Sequence, residues 1–397
     1  MKPKTFMLIA GEASGDLLAA ELVSALREQS SILHPPSSPI FFGAGGAKMS
    51  AAGVELAFDL TQHSVIGITD VLKNLLKFRR LFKQLLALAI ERKPDVVIGV
   101  DYGGFNLRFG QAVKKYVRDN PFSTWKPKIV QFVSPQVWAS RPGRADKLAR
   151  DYDLLLSIFP FEKEWYAKRV PQLRVEFVGH PMIDRFAAAK TSALPDFLNW
   201  ANALHDYPVI ILLPGSRPTE LEKHLPVMLQ AAWKIVQKQG FRLICVLPNE
   251  ALVAQAKKLA LQTGWPDLIF KIGELPTALR FADVAIASTG TVTMECAFFG
   301  VPTVTLYKTS WLTYQIARHI VTVKSLTMPN LLAGETVYPE FIQNDATPEN
   351  LARATLELLQ DDSRRANIKA QLGKIISSLG EPGAAGRVAE AVLSLFW

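Results

Sequence analysis

The sequence predicts an α/β protein built as two parallel-sheet domains. Three observations carry this. Short apolar runs alternate with helical stretches along the whole chain, the pattern of βαβ units. The chain has 397 residues, more than one hydrophobic core ordinarily serves. Each half also opens in the same way, with an apolar strand running into a turn of small residues. The first turn is Ala10-Gly11-Glu12-Ala13-Ser14-Gly15-Asp16 and the second is Leu213-Pro214-Gly215-Ser216-Arg217.

In the first half, the runs Phe6–Ala10, Ile40–Gly43, Val96–Val100, Ile129–Phe132, Leu154–Ile158 and Val175–Val178 are apolar and too short for helices, so they read as strands. Leu17–Glu28, Val71–Arg92 and Leu107–Val117 supply helices between them. Gly43-Ala44-Gly45-Gly46 lacks the third spaced glycine of a dinucleotide fingerprint and reads as a turn. A second series runs Val209–Leu213, Leu243–Leu247, Val284–Ala287 and Thr303–Leu306. Mixed composition between Asp184 and Pro208 marks a linker containing a helix. The expected domains are therefore residues 1–184 and 185–380. In residues 381–397, the apolar helix Gly386–Trp397 is expected to cross back onto the first domain.

Composition narrows the partners. Hydrophobic residues make up 49% and charged residues 20%, which is globular, and the formal net charge of +9 favours an anionic partner. The positive charge is spread along the chain without a basic tail, which argues against nucleic acid and leaves anionic lipid or a phosphorylated substrate. The only cysteines, Cys245 and Cys296, are far apart, so neither a disulfide framework nor a cysteine metal site is expected. None of the six histidines pairs with another at metal-ligand spacing, and no metal or cofactor is expected. The run Phe6–Ala10 is too short for a signal-peptide core, and nothing approaches the roughly 18 to 20 apolar residues of a membrane span, so a soluble or peripheral protein is expected.

The most informative segment is Ala285–Tyr307. An apolar strand leads into Ser288-Thr289-Gly290-Thr291 and then a helix bearing Glu295. Small residues between strand and helix expose backbone N–H groups where the helix dipole is positive, which suits a phosphate. Glu295, one turn inside, suits a ribose hydroxyl. Val292 excludes a capping box that would account for Glu295 locally. Arg217 stands where a helix begins, with Thr219–Glu222 fitting a capping box, and a cation there is better explained by a bound diphosphate. Asp101, at the end of Val96–Val100, fits a general base or, equally, an Asx-turn or helix cap. Ser14 suits a sugar or phosphate, and Asp16 a helix cap. Residues Val71–Ile90 carry five cations and no acid amid more apolar residues than one stripe needs. That pattern fits a lipid-facing helix or a buried one with solvated cations.

Taken in order, IAGEASGD (Ile9–Asp16), VSPQVW (Val133–Trp138), FPFE (Phe159–Glu162), FVGH (Phe177–His180), LPGSR (Leu213–Arg217), Glu295-Cys296 and LTMPNLLAG (Leu326–Gly334) cover almost the whole chain. The set resembles the lipid-A-disaccharide synthases, glycosyltransferases of the GT-B type (family 19). The resemblance implies two Rossmann-like domains with parallel sheets facing a central cleft. It implies UDP-2,3-diacylglucosamine as donor and 2,3-diacylglucosamine 1-phosphate as acceptor, joined to the β-1,6 disaccharide 1-phosphate with release of UDP. On this chain Asp101 would be the base. Arg217 would meet the diphosphate, Ser288, Thr289, Gly290 and Thr291 would form the phosphate turn, and Glu295 would hold the ribose. Asn330 and Gln343 would line the donor site, with Glu12 and Ser14 on the acceptor side. Val65, Ile66, Ile68, Leu72, Leu75 and Leu76 would face an anionic membrane, placing the protein on the cytoplasmic side of the inner membrane, and a homodimer is compatible with this. Two departures stand out. Asp101–Asn106 reads DYGGFN, without the family's second acid at position 104, and Ser140-Arg141 replaces a Trp-Arg pairing. A nucleotide-sugar 2-epimerase and a non-catalytic nucleotide or lipid binder are the rival readings.

Overall fold

The computed structural model describes residues 3–33, 38–63, 68–191, 207–265 and 268–396. The chain divides into two compact units, Met1–Pro181 with Leu379–Trp397, and Met182–Ser378.

The first unit holds strands β1 (Thr5–Ala10), β2 (Ile40–Gly45), β3 (Glu55–Asp59), β4 (Val96–Val100), β5 (Lys128–Phe132), β6 (Leu154–Ser157) and β7 (Val175–Phe177). They form one parallel sheet in the order β3-β2-β1-β4-β5-β6-β7. Every residue of β4 is buried, as expected of a strand covered on both faces. Along β1, Phe6, Leu8 and Ala10 join one core with helices Ala13–Leu33 and Ala384–Leu393, while Met7 and Ile9 join the other with helices Ile68–Arg92 and Gly103–Asp119. The final helix thus belongs to this unit, and Arg387 Nε fastens it by donating to Val178 O at 2.8 Å.

Gly43-Ala44-Gly45 is strand, not the turn its composition suggests. Gly43 (φ 152°) lies where a Cβ would strike the carbonyl of Leu8, so glycine serves close strand approach, and the β2–β3 register shifts at Gly43/Ala44. Asp16 is a cap, but for a distant helix. Its carboxylate accepts from the N–H groups of Gly46, Lys48 and Met49 at 2.7, 2.9 and 3.1 Å, at the start of helix Ala47–Ala51.

Helix Ile68–Arg92 divides its faces. Leu85 and Ala89 are buried and Leu81, Phe82 and Leu86 pack beside them, whereas Leu76 is 80% exposed among exposed Lys77, Arg79, Arg80 and Lys83. Val65 and Ile66 lie outside the described residues, and Ile68, Leu72 and Leu75 fall on the helix's opening turns. No helix among the described residues is long and apolar enough to cross a membrane.

The second unit holds β8 (Val209–Leu213), β9 (Arg242–Leu247), β10 (Ile269–Ile272), β11 (Val284–Ser288), β12 (Thr303–Tyr307) and β13 (Glu340–Ile342), a parallel sheet in the order β10-β9-β8-β11-β12-β13. Both sheets run outward in one direction and then restart on the other side of their first strand. The switch falls between β1 and β4 in one sheet and between β8 and β11 in the other. Ligands of open α/β sheets sit beyond the carboxyl ends of the strands at such points.

One core carboxylate sets a measurable pH dependence. Glu162, fully buried in helix Pro160–Arg169, accepts from Trp138 Nε1 at 2.9 Å through Oε1, while Oε2 finds no partner among the described residues. Burial, only partly offset by the bond from Trp138, pushes its carboxyl up to about 7. The raised value means that ionisation opposes folding. The penalty is absent below the ordinary value of 4.5, grows as pH rises to about 7, and is constant above. Glu162→Gln keeps the acceptor for Trp138 and removes the charge. In urea melts it should exceed the wild type by up to about 3 kcal/mol at pH 8, with the difference vanishing near pH 4.

Candidate active site

In the second unit, a cavity of about 450 Å³ opens at the switch point. Gly215, Ser216, Arg217 and Glu220 line it from the carboxyl end of β8, and Ser288, Thr289, Gly290, Thr291 and Glu295 from that of β11. Leu247, Pro248, Gly273 and Leu275 complete an apolar side. The sequence thus brings Arg217, the small-residue turn and Glu295 onto one wall system, although 70 or more residues separate the two loops.

The β8 loop is shaped by Glu220. The N-cap of helix Pro218–Val236 lies two residues before the Thr219 implied by a capping box at Thr219–Glu222, because Pro218 fixes the first helical position and Arg217 becomes the N-cap. Glu220 Oε2 accepts from Ser216 N at 3.2 Å, and Oε1 lies 3.4 Å from Arg217 Nη1. Gly215 (φ 123°) has no room for a Cβ against the Glu220 carboxylate, so only glycine closes this turn. Arg217 is half-exposed, and its anchored guanidinium retains free donors for an anion.

The β11 turn is more selective than its composition suggests. Thr289 N–H is engaged by Leu306 O at 3.2 Å, and Thr293 Oγ1 donates to Gly290 O at 2.7 Å. Gly290 and Thr291 are exposed, and their N–H groups have no acceptor among the described residues. They stand at the start of helix Val292–Phe298, where oriented donors favour an anion. Glu295 sits one turn further in. Burial pushes its carboxyl up to about 7, against the opposing pull of Arg185. Among the described residues no three His, Cys, Asp or Glu side chains gather as a metal site.

Three further polar side chains hold backbone segments of this unit. His224 is fully buried. Its Nδ1 lies 2.8 Å from Pro214 O, and its Nε2 lies 3.0 Å from the N–H of Lys308. The ring must therefore carry its proton on Nδ1 and accept at Nε2, and burial lowers its pKa, which keeps it neutral. It ties the turn after β8 to the loop after β12. Gln343 (φ 53°) holds the same loop, accepting from Thr309 N at 2.7 Å and donating to Thr309 O at 3.4 Å. Asn330 is buried, and its amide is occupied by Val337 N, Tyr338 N, Tyr338 O and Glu340. Neither Asn330 nor Gln343 is among the residues lining the cavity; Gln343 shapes the loop after β12 at the sheet's carboxyl end, and Asn330 the segment that leads into β13 at its amino end. His224 escaped sequence reading because an isolated histidine carries no spacing signal.

In the first unit, Asp101 follows β4, and Glu12 and Ser14 follow the adjacent β1, with Ala10 paired to Val100. Glu12 and Ser14 are exposed. At Gly15, a Cβ would lie 3.2 Å from Val100 O and 3.6 Å from Asp101 Cβ, so the two loops are in contact. The N-cap of helix Gly103–Asp119 is Tyr102, and no side chain caps it. Asp101 is therefore not a helix cap. Burial raises its pKa, opposed by a bond from the Tyr102 N–H. The Tyr102 ring covers the position where a Cβ on Gly11 would project.

The sequence model of the family described as Lipid-A-disaccharide synthetase matches residues 6–391. The lipid-A-disaccharide synthase of Myxococcus xanthus is 34% identical over 394 residues, spanning 99% of this chain and 98% of its own. That of Syntrophus aciditrophicus is 36% identical over 407 residues, spanning 100% and 98%. Among solved structures, a putative UDP-N-acetylglucosamine 2-epimerase from Listeria monocytogenes aligns at a TM-score of 0.62 and 16% identity, over 100% of this chain and 97% of that one. The UDP-GlcNAc 2-epimerase of Neisseria meningitidis bound to UDP-GlcNAc aligns at 0.61 and 13%, over 99% and 100%. At such identities the structural likeness speaks for the fold alone.

Proposed function

The chain belongs to the lipid-A-disaccharide synthase family, and we propose that the cavity at the β8/β11 switch point is where it holds the UDP portion of its donor. The protein is a glycosyltransferase of lipid A synthesis. It joins UDP-2,3-diacylglucosamine to 2,3-diacylglucosamine 1-phosphate, giving the β-1,6-linked disaccharide 1-phosphate and UDP. The observation that carries the site assignment is the convergence of Arg217, the free N–H groups of Gly290 and Thr291, and Glu295 on one cavity.

In this reading the diphosphate lies against Arg217 and the Gly290-Thr291 donors, and Glu295 accepts from the ribose hydroxyls. Asp101 takes the proton from the acceptor 6-hydroxyl as that oxygen attacks the anomeric carbon, and the bond to UDP breaks with inversion. The burial that raises the Asp101 pKa makes it a stronger base while ionised. Negative charge growing on the departing diphosphate meets donors already oriented towards it, so little reorganisation is needed. Glu12 and Ser14, exposed beside Asp101, serve the acceptor. The exposed face of helix Ile68–Arg92, with Leu76 amid four cations, rests on the anionic cytoplasmic surface of the inner membrane, where both acylated substrates reside.

Mass spectrometry of the purified protein with both acylated substrates should show the disaccharide 1-phosphate and UDP. Turnover of UDP-N-acetylglucosamine without any acceptor, and no disaccharide, would contradict the assignment. The ribose role of Glu295 has its own signature. A carboxyl pushed up to about 7 accepts most strongly from both ribose hydroxyls once ionised, because the neutral acid turns one oxygen into an O–H donor. UDP affinity should therefore rise with pH between 6 and 8, by up to about tenfold more in the wild type than in Glu295→Gln, as read by calorimetry. Comparison with the variant removes the titration of UDP itself. Parallel pH profiles would separate Glu295 from the nucleotide.

A further inference from the structure

Three residues bearing side chains hold left-handed backbone at the carboxyl ends of β4 and β5: Asp101 (φ 51°), Tyr102 (φ 48°) and Val133 (φ 65°). Such conformations are unfavourable for these residue types and persist only where the surroundings impose them. Around Asp101 two amides do so. Asn106 Nδ2, from the first turn of helix Gly103–Asp119, donates to Asp101 O at 2.8 Å. Gln131 Nε2, from β5, donates to the same oxygen at 2.9 Å and reaches Val133 O at 3.2 Å. The Asp101 N–H donates to Phe132 O at 2.8 Å. The backbone of this residue is thereby held at both its N–H and its carbonyl.

The arrangement is built into the core. Asn106 is 2% exposed and Gln131 0%. Gly99 makes room for both, since a Cβ there would lie 2.7 Å from Gln131 Oε1 and 2.8 Å from Asn106 Cβ. The remaining oxygens, Asn106 Oδ1 and Gln131 Oε1, are buried without a partner among the described residues. Their donors satisfy the Asp101 and Val133 carbonyls, while the two unpaired oxygens offset part of what those bonds contribute to stability.

We propose that Asn106 and Gln131 are positioning residues that clamp the Asp101 carbonyl, hold its backbone left-handed and so aim its carboxyl group for proton abstraction. This rests on Asp101 being the base. Gln131 is a fully buried β5 residue whose role here runs through Asp101; its contribution is the direction of a proton acceptor, to which rate is sensitive at the ångström scale.

The test is a double-mutant cycle on the full chain with both acylated substrates. Gln131→Met keeps the shape and removes the donors. Its kcat should fall at least about tenfold, while donor KM, UDP affinity and the thermal midpoint stay close to wild type. On an Asp101→Asn background, which itself should be severely impaired, Gln131→Met should cost nothing further, because the group it aims is gone. Asn106→Leu, acting on the same carbonyl from the helix side, gives an independent reading should Gln131→Met fold poorly. Full kcat in a folded Gln131→Met, or losses that multiply in the double variant, would overturn the clamp. An Asp101→Asn enzyme that keeps most of its turnover would instead overturn the base assignment, and the clamp's catalytic role with it.

Discussion

Backbone N–H groups left unpaired where a parallel strand gives way to a helix are the constraint on which the proposed nucleotide site depends. A parallel sheet consumes such donors along its length and releases them at its carboxyl edge. At the β8/β11 switch point neighbouring crossovers diverge, so a cavity can form between the two loops. Only part of the small-residue turn is available there. The sheet retains Thr289 N–H, and Gly290 and Thr291 present theirs outward. Arg217 adds a strongly directional cation to the cavity wall and is steadied by Glu220.

The polar machinery is held in costly forms. Glu295 is buried enough to sit near neutrality, Gly215 is confined by a carboxylate, and Asp101 and Tyr102 occupy left-handed backbone. Each is stable only because neighbours over-determine it. His224 and Gln343 hold the backbone of the loops after β8 and β12, and Asn106 and Gln131 do the same for Asp101. In both units a side-chain ring or amide acts on backbone carbonyls and N–H groups, fixing loops whose own residues stay free to meet substrate.

Much of this was legible in the sequence because long apolar runs such as VVIGV and VIILL can only be buried strands. The β3, β10 and β13 strands escaped because ELAFD, IFKI and EFI are short and only partly buried, with at least one charged residue in each. Gly43-Ala44-Gly45 misled because turn propensity and close strand packing select the same residue. The start of helix Pro218–Val236 shifted because a proline outweighed a capping pattern. Residue-level motifs singled out Arg217 and Glu295, which line one cavity, and Asp101, but they could not show that Asn330 and Gln343 turn to the backbone, or that His224 joins two loops. Those facts depend on contacts across tens of residues. The fold alone would not have separated this transferase from 2-epimerases, whose frames superpose at 13 to 16% identity; the family relation, carried by ordered motifs over residues 6–391, does.

The central claim is that UDP is held by the donors at the β8 and β11 carboxyl ends. Amide hydrogen exchange with and without UDP tests it most directly. The account predicts slowed exchange concentrated at Ser216–Arg217 and Gly290–Val292, with Arg217→Ala abolishing the effect at matched UDP concentration. Bound UDP that protects other segments and leaves these two loops exchanging freely would contradict it.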